Sequence, residues 1–433
     1  MPQSRKLPTG SVLLHEPRQD SPSFAFSIWF PFGSRHESPE SRGFFHCIEH
    51  MVFKGSAGCD SRSFWEKIEG SGGSANGFTD RDATCLHCTV PLEDWRQALK
   101  LMVDAVFNAQ FPREEFEKER QVILSEILQV EDDIDESAFD AFLSCYWKDQ
   151  PPGWSIAGLP GQVRKISRDA LYDFYRRHFT PENALFAVSG DLDAMELEVA
   201  LVEALQDSGE APAALPALRS ETPRPSARSC FCRADSSQAI YLRAAQLDPP
   251  FGEKDFPTLA ILNGMLGDSS SSRIFVKVRE ELGLAYSVQT SCGFSPTEAL
   301  FAVQAAADPT LLDPCRNAIL SELDRFFGEC SAEKPASQTL EDEMHRTARR
   351  LSGAFLLSLE DPEVRIRRLA GNYLLTGKVP GAREEAQAFS QVTFTDLAAM
   401  AARLRTAVWG EMAYGNLDAR ECRSMGFKEF KHG

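Results

Sequence analysis

Residues 62–90, RSFWEKIEGSGGSANGFTDRDATCLHCTV, read as a helix followed by two strand-like runs separated by turn residues. Residues 272–306, SRIFVKVREELGLAYSVQTSCGFSPTEALFAVQAA, offer the same order at similar spacing. Working outward, each copy follows an apolar helical run, FFHCIEHMVF in the first case and LAILNGML in the second. Each half also closes on a helical run and then a strand-like one: ENALFAVSGDLD is matched by GEMAYGNLD, so that Gly190-Asp191-Leu192-Asp193 corresponds to Gly415-Asn416-Leu417-Asp418. The chain is therefore read as two homologous α+β domains, each a largely antiparallel sheet with helices packed on one side.

Between the halves, EAPAALPALRSETPRPSAR carries Pro212, Pro216, Pro223 and Pro225 and few large apolar residues, the composition of a semi-extended linker. The expected boundaries are 1–208 for the first domain, 209–228 for the linker and 229–433 for the second domain. A chain of 433 residues, 43% hydrophobic and 25% charged, has material for two sizeable cores and is not disordered overall. With 46 Lys+Arg against 63 Asp+Glu the formal net charge is −17, which disfavours nucleic acid as a partner. No apolar run is long enough to span a bilayer, and MPQSRKLPTGSVLLHE lacks the apolar core of a signal peptide, so a cytoplasmic protein with no membrane partner is expected. Eleven scattered cysteines fit free thiols better than a disulfide framework. The C-x-x-C of Cys85 and Cys88 falls in a strand-like run, where residues three apart point to opposite faces and cannot share a metal.

The chemistry concentrates at His46-Cys47-Ile48-Glu49-His50, within an apolar helical run over 44–53 that Gly55 would terminate. His46 and His50 are one turn apart on one face, so their imidazoles can converge on a single ion, and Glu49 sits beside them. This is the inverted zinc-protease helix, H-x-x-E-H, in which the glutamate is a general base and not a ligand. Two histidines and a glutamate on an otherwise apolar turn would each need a buried partner, a requirement that one metal ion meets at once. A catalytic zinc takes a third protein ligand. The donor helix is expected over 111–130, where Glu119 and Glu126 are seven apart and share a face. Glu126 stands among Val122, Ile123, Leu124, Ile127 and Leu128, which assigns it as ligand and Glu119 as its outer neighbour.

These residues resemble peptidase family M16, the pitrilysin metallopeptidases, and specifically the half-length group that includes the mitochondrial processing peptidases and bacterial relatives. The resemblance lies in GSRHESPESRGFFHCIEHMVFKGS, GGSANGFTDRDAT, FEKERQVILSEI and SSRIFVKVREELGLAYSV, and spans almost the whole chain. The family's glutamate ligand lands on Glu126 and its preceding acidic residue on Glu119. The resemblance implies a zinc endopeptidase with one Zn2+ per chain, cleaving peptides or small unfolded polypeptides inside a closed chamber. It implies a homodimer, or a heterodimer with a paralogue, in which the second half of one chain faces the zinc domain of another. It further implies that Asn76 hydrogen-bonds substrate backbone, and that Arg279 and Tyr286 hold the substrate near zinc. Arg279 is expected on a helix over 272–281, Gly283 as its left-handed stop, and Tyr286 at the start of the next strand. The chain departs from the family pattern at Gly77, where alanine is common, and at Leu86, where tyrosine is common. The same fold also serves as a non-catalytic assembly subunit, but such subunits usually lose the motif that this chain keeps.

Overall fold

The computed structural model describes residues 1–148, 150–206, 221–226, 228–331 and 337–431, so most of the expected linker lies outside the described residues. The chain forms two compact units, each assembled from three segments: 1–129, 154–220 and 358–381 in the first, and 130–153, 221–357 and 382–433 in the second.

The first unit is built on a six-stranded sheet of β1 (Gln3–Lys6), β2 (Val12–Pro17), β3 (Ser23–Phe30), β4 (Ser74–Thr79), β5 (Thr84–Pro91) and β6 (Leu185–Gly190), in the order β1-β2-β6-β3-β5-β4. The second has β7 (Ser229–Arg233), β8 (Ala239–Leu247), β9 (Ser287–Phe294), β10 (Ala299–Ala307), β11 (Val408–Gly415) and β12 (Lys428–Glu429), in the order β12-β7-β11-β8-β10-β9. The repeat read from the sequence is thus a repeat of topology. β7 to β11 occupy the places of β2 to β6, and in both sheets the first and last of these run parallel while the others pair antiparallel.

Among the described residues, most helices cover one face of each sheet, and a single helix covers the other. In the first unit Leu86, Cys88 and Val90 of β5 point into the main helix-covered core. Their neighbours face the other way: Cys85 packs with Ile366, Leu369 and Ala370 of the helix Pro362–Thr376. The two sulfurs of the C-x-x-C therefore lie on opposite faces, as strand alternation requires. In the second unit the corresponding helix is Ile134–Tyr146, whose Ala138, Ala141, Phe142 and Tyr146 pack on Ile240, Leu242 and Met412. Each fully buried phenylalanine of these layers contributes roughly 1.5–3 kcal/mol relative to exposure. Nine cysteines are free, and the sulfurs of Cys145 and Cys230 lie next to each other.

A polar network pins the second sheet. Glu411, buried on β11, accepts hydrogen bonds from Ser229 Oγ at 2.7 Å, Tyr241 Oη at 2.9 Å, and Arg316 Nε and Nη2 at 3.0 and 2.8 Å. Burial alone would raise its pKa, but the bonds from Arg316, Ser229 and Tyr241 outweigh it and hold the carboxyl below its ordinary value. A depressed folded pKa contributes stability above the unfolded value, and that stability is lost as pH falls through the folded one. Glu411→Ala strands the Arg316 guanidinium and is expected to destabilise by about 3–5 kcal/mol. In urea melts across pH, the gap between wild type and variant should be full at neutral pH and shrink in acid. A gap that is small, or that widens in acid, would show that the network contributes nothing through its charge.

Candidate metal centre

The motif histidines ride on the helix Phe44–Val52, which begins after Gly43 in a left-handed conformation (φ 83°). Gly43 has no side chain with which to cap the helix, and Glu37 supplies the missing acceptor. Its carboxylate takes N–H bonds from Gly43 at 2.9 Å and Phe45 at 3.1 Å. Burial pushes the Glu37 pKa up to about 8 against the pull of those bonds. Phe45, Ile48, Met51 and Val52 bury the opposite side of the helix, which fixes the rotation that presents His46, Glu49 and His50 together.

The helix Arg113–Asp132 runs beside them, anchored by buried Phe116, Ile123 and Ile127. Glu126 Oε2 lies 3.2 Å from His50 Nε2 and 3.8 Å from His46 Nε2. One donor atom from each of His46, His50 and Glu126 fits within a 4.8 Å cluster. Glu119 is bound differently: its Oε2 is 3.1 Å from His50 Nδ1, and its Oε1 is 2.7 Å from Lys54 Nζ. Glu119 and Glu126 thus address the two different nitrogens of the His50 ring, and a metal-bound imidazole that gives its Nδ1–H to Glu119 offers Nε2 on the Glu126 side. Burial, and secondarily the neighbouring His50, lower the His46 pKa to about 3, so that ring is neutral and available as a ligand. The residues present therefore fit a divalent ion with nitrogen and oxygen donors.

Glu49 stands apart from this cluster. Its Oε2 accepts a hydrogen bond from Thr79 Oγ1 at 3.0 Å, and burial raises its pKa above the ordinary value, the direction that strengthens a base. Thr79 and Lys54 escaped the sequence reading. Their signals were the alternation along β4, and the four-residue step from His50 to Lys54.

The profile described as Insulinase (Peptidase family M16) matches residues 12–158, and that described as Peptidase M16 inactive domain matches residues 165–334. The chain belongs to peptidase family M16. Two relatives carry the name of uncharacterized zinc protease. One from Mycobacterium leprae is 28% identical over 94% of this chain and 90% of its own length, and one from Bacillus subtilis is 28% identical over 82% and 84%. Among solved structures, a protease from Helicobacter pylori shares the M16 fold, with TM-score 0.85 at 18% identity, covering 96% of this chain and 99% of that one. A peptidase M16 inactive domain from Pseudomonas fluorescens superposes with TM-score 0.86 at 17% identity over the whole of both chains.

Glu126 is less buried than its apolar neighbours imply, because Val122 and Leu128 are themselves exposed; Phe116, Glu119, Ile123 and Ile127 are the buried members of that helix. Asn76 is exposed on edge strand β4, and its Oδ1 accepts from the Gly77 N–H at 2.9 Å. It alternates with Gly77 and Thr79 and shares its face with Phe78, so its side chain and Glu49 are on opposite faces of β4. Arg279 and Tyr286 belong to the second unit. The expected helix over 272–281 starts at Arg273 and becomes a π-helix over Val276–Glu281, a wider turn that recurs at functional sites. Gly283 adopts the anticipated left-handed conformation (φ 61°). Tyr286 directly precedes β9, 74% exposed, with its ring centroid 5.9 Å from the Arg279 guanidinium carbon. Among the described residues no helix is long and apolar enough to cross a membrane.

Proposed function

We propose that this chain is a zinc-dependent endopeptidase acting on peptides or small unfolded polypeptides, with His46, His50 and Glu126 as ligands of one Zn2+. The observation that carries the reading is the convergence of the two imidazole nitrogens and one carboxylate oxygen, with Glu49 on the same helix turn but outside that cluster. When bound, zinc would polarise the scissile carbonyl and make water acidic enough to be deprotonated near neutral pH. Glu49 takes the proton of the attacking water and returns it to the departing amine. Glu119 keeps the His50 proton on Nδ1 and so keeps Nε2 available. Arg279 and Tyr286, exposed and side by side, supply a guanidinium and a phenol to a substrate carbonyl as negative charge develops on it. Asn76, with its local bond to Gly77, is the residue that meets an extended substrate backbone along β4. The zinc names of the relatives support the choice of metal. The closed chamber and the pairing with a second copy or a paralogue belong to the same reading.

The test is metal analysis combined with a peptide library. The purified chain is expected to carry close to one zinc, to cleave library peptides, to lose that activity with a strong chelator and to recover it on adding zinc. A metal-free chain that ignores chelation would instead favour an assembly subunit.

A further inference from the structure

Glu49 has three rotatable side-chain bonds, and a general base must hold one oxygen toward its water. Something must select one rotamer. The helix that carries Glu49 does not: its neighbours His46 and His50 are engaged with Glu126 and Glu119. The selecting groups lie on β4. Successive residues of a strand alternate between faces, so Gly77 and Thr79 point the same way, toward Glu49. Thr79 Oγ1 donates to Glu49 Oε2 at 3.0 Å, and among the described residues Oε1 has no protein donor. A Cβ placed on Gly77 would lie 2.9 Å from Glu49 Cγ, 3.3 Å from Oε1 and 2.8 Å from Leu86 Cδ1. Gly77 is absent from the glycines with positive φ, so its backbone does not demand glycine; a Cβ there would meet Leu86 and Glu49.

We infer that Thr79 and Gly77 form a socket on β4 in which Thr79 is the positioning residue for Glu49, holding Oε2 while Oε1 stays directed at the reacting water. This rests on the peptidase reading for what Glu49 does, but not for where Glu49 points. Thr79 transfers no proton: its hydroxyl hydrogen stays on Oγ1 while Oε1 receives the proton of the water. Gly77 is the matching steric element, since any larger side chain must displace Glu49 or Leu86.

The test compares zinc-loaded crystal structures and steady-state kinetics of wild type, Thr79→Val, Thr79→Ser and Gly77→Ala. Valine keeps the shape of threonine and removes only the donor. Thr79→Val is expected to release Glu49 from its rotamer and to lower kcat roughly 10–100-fold, with KM within about threefold and zinc content unchanged. Thr79→Ser should return Glu49 to its place and recover most of kcat, and Gly77→Ala should shift Glu49 or Leu86 by steric contact. A Thr79→Val protein with Glu49 unmoved and kcat within about twofold of wild type overturns the inference, as does a Thr79→Ser protein that behaves like the valine variant. If wild type cleaves no peptide, the peptidase reading fails by itself. The structures then decide the socket alone, and a Glu49 unmoved in Thr79→Val overturns it.

Discussion

Glu49→Gln is expected to bind zinc as wild type does and to lose peptidase activity by about 10²–10⁴-fold, the share that a positioned general base supplies. The amide has the size of the carboxylate and can still accept from Thr79, so neither the helix Phe44–Val52 nor the histidine pair needs to move. What disappears is the basic oxygen. Because Glu49 is no part of the cluster of His46, His50 and Glu126, its neutralisation leaves the donor set intact. Zinc stoichiometry by atomic absorption and turnover of library peptides, measured on the same preparation, decide the matter. A zinc-loaded variant that retains a tenth or more of wild-type kcat would remove Glu49 from the role of base.

The arrangement of the candidate site was legible where local spacing alone sets geometry. His46, Glu49 and His50 lie on one helix turn, and helical periodicity puts them on one face whatever the rest of the chain does. The repeated sheet was legible for a similar reason, since the order of helix and strand runs recurs and neighbouring runs pair. Partners brought from elsewhere in the chain were not. The helices Ile134–Tyr146 and Pro362–Thr376 show an apolar side in their sequences, but that side does not say which sheet it covers. The expected domain boundaries follow chain order, whereas the compact units take 130–153 into the second and 358–381 into the first. The apolar run around Glu126 likewise promised burial that Val122 and Leu128 do not have, because a long helix with only one side on the core leaves some apolar residues in water. The π-helical turn at Arg279 carries no composition signal, since it differs from an α-helix only in hydrogen-bond register.

Glu126 and Glu119 present the sharper discrimination, since both approach His50 and either could be taken for the third ligand. Their oxygens address different nitrogens. Glu119 Oε2 is on Nδ1, the side of the ring away from the cluster, and its second oxygen is occupied by Lys54 at 2.7 Å. Glu126 Oε2 approaches the Nε2 atoms of both histidines, at 3.2 and 3.8 Å. A ligand replaced by a neutral amide loses more than an outer partner does. Glu119→Gln is therefore expected to weaken zinc binding roughly 10–100-fold, the usual effect of removing the group that orients a ligating imidazole. Glu126→Gln should weaken it further, beyond that range, because an amide oxygen is a poorer donor to zinc than a carboxylate. Competition against a chromophoric chelator ranks the two directly. If Glu119→Gln proves the more damaging, or if Glu126→Gln leaves affinity unchanged, the ligand set is His46, His50 and Glu119, and the side chain of Glu119 must swing from Nδ1 to the Nε2 side when the metal binds.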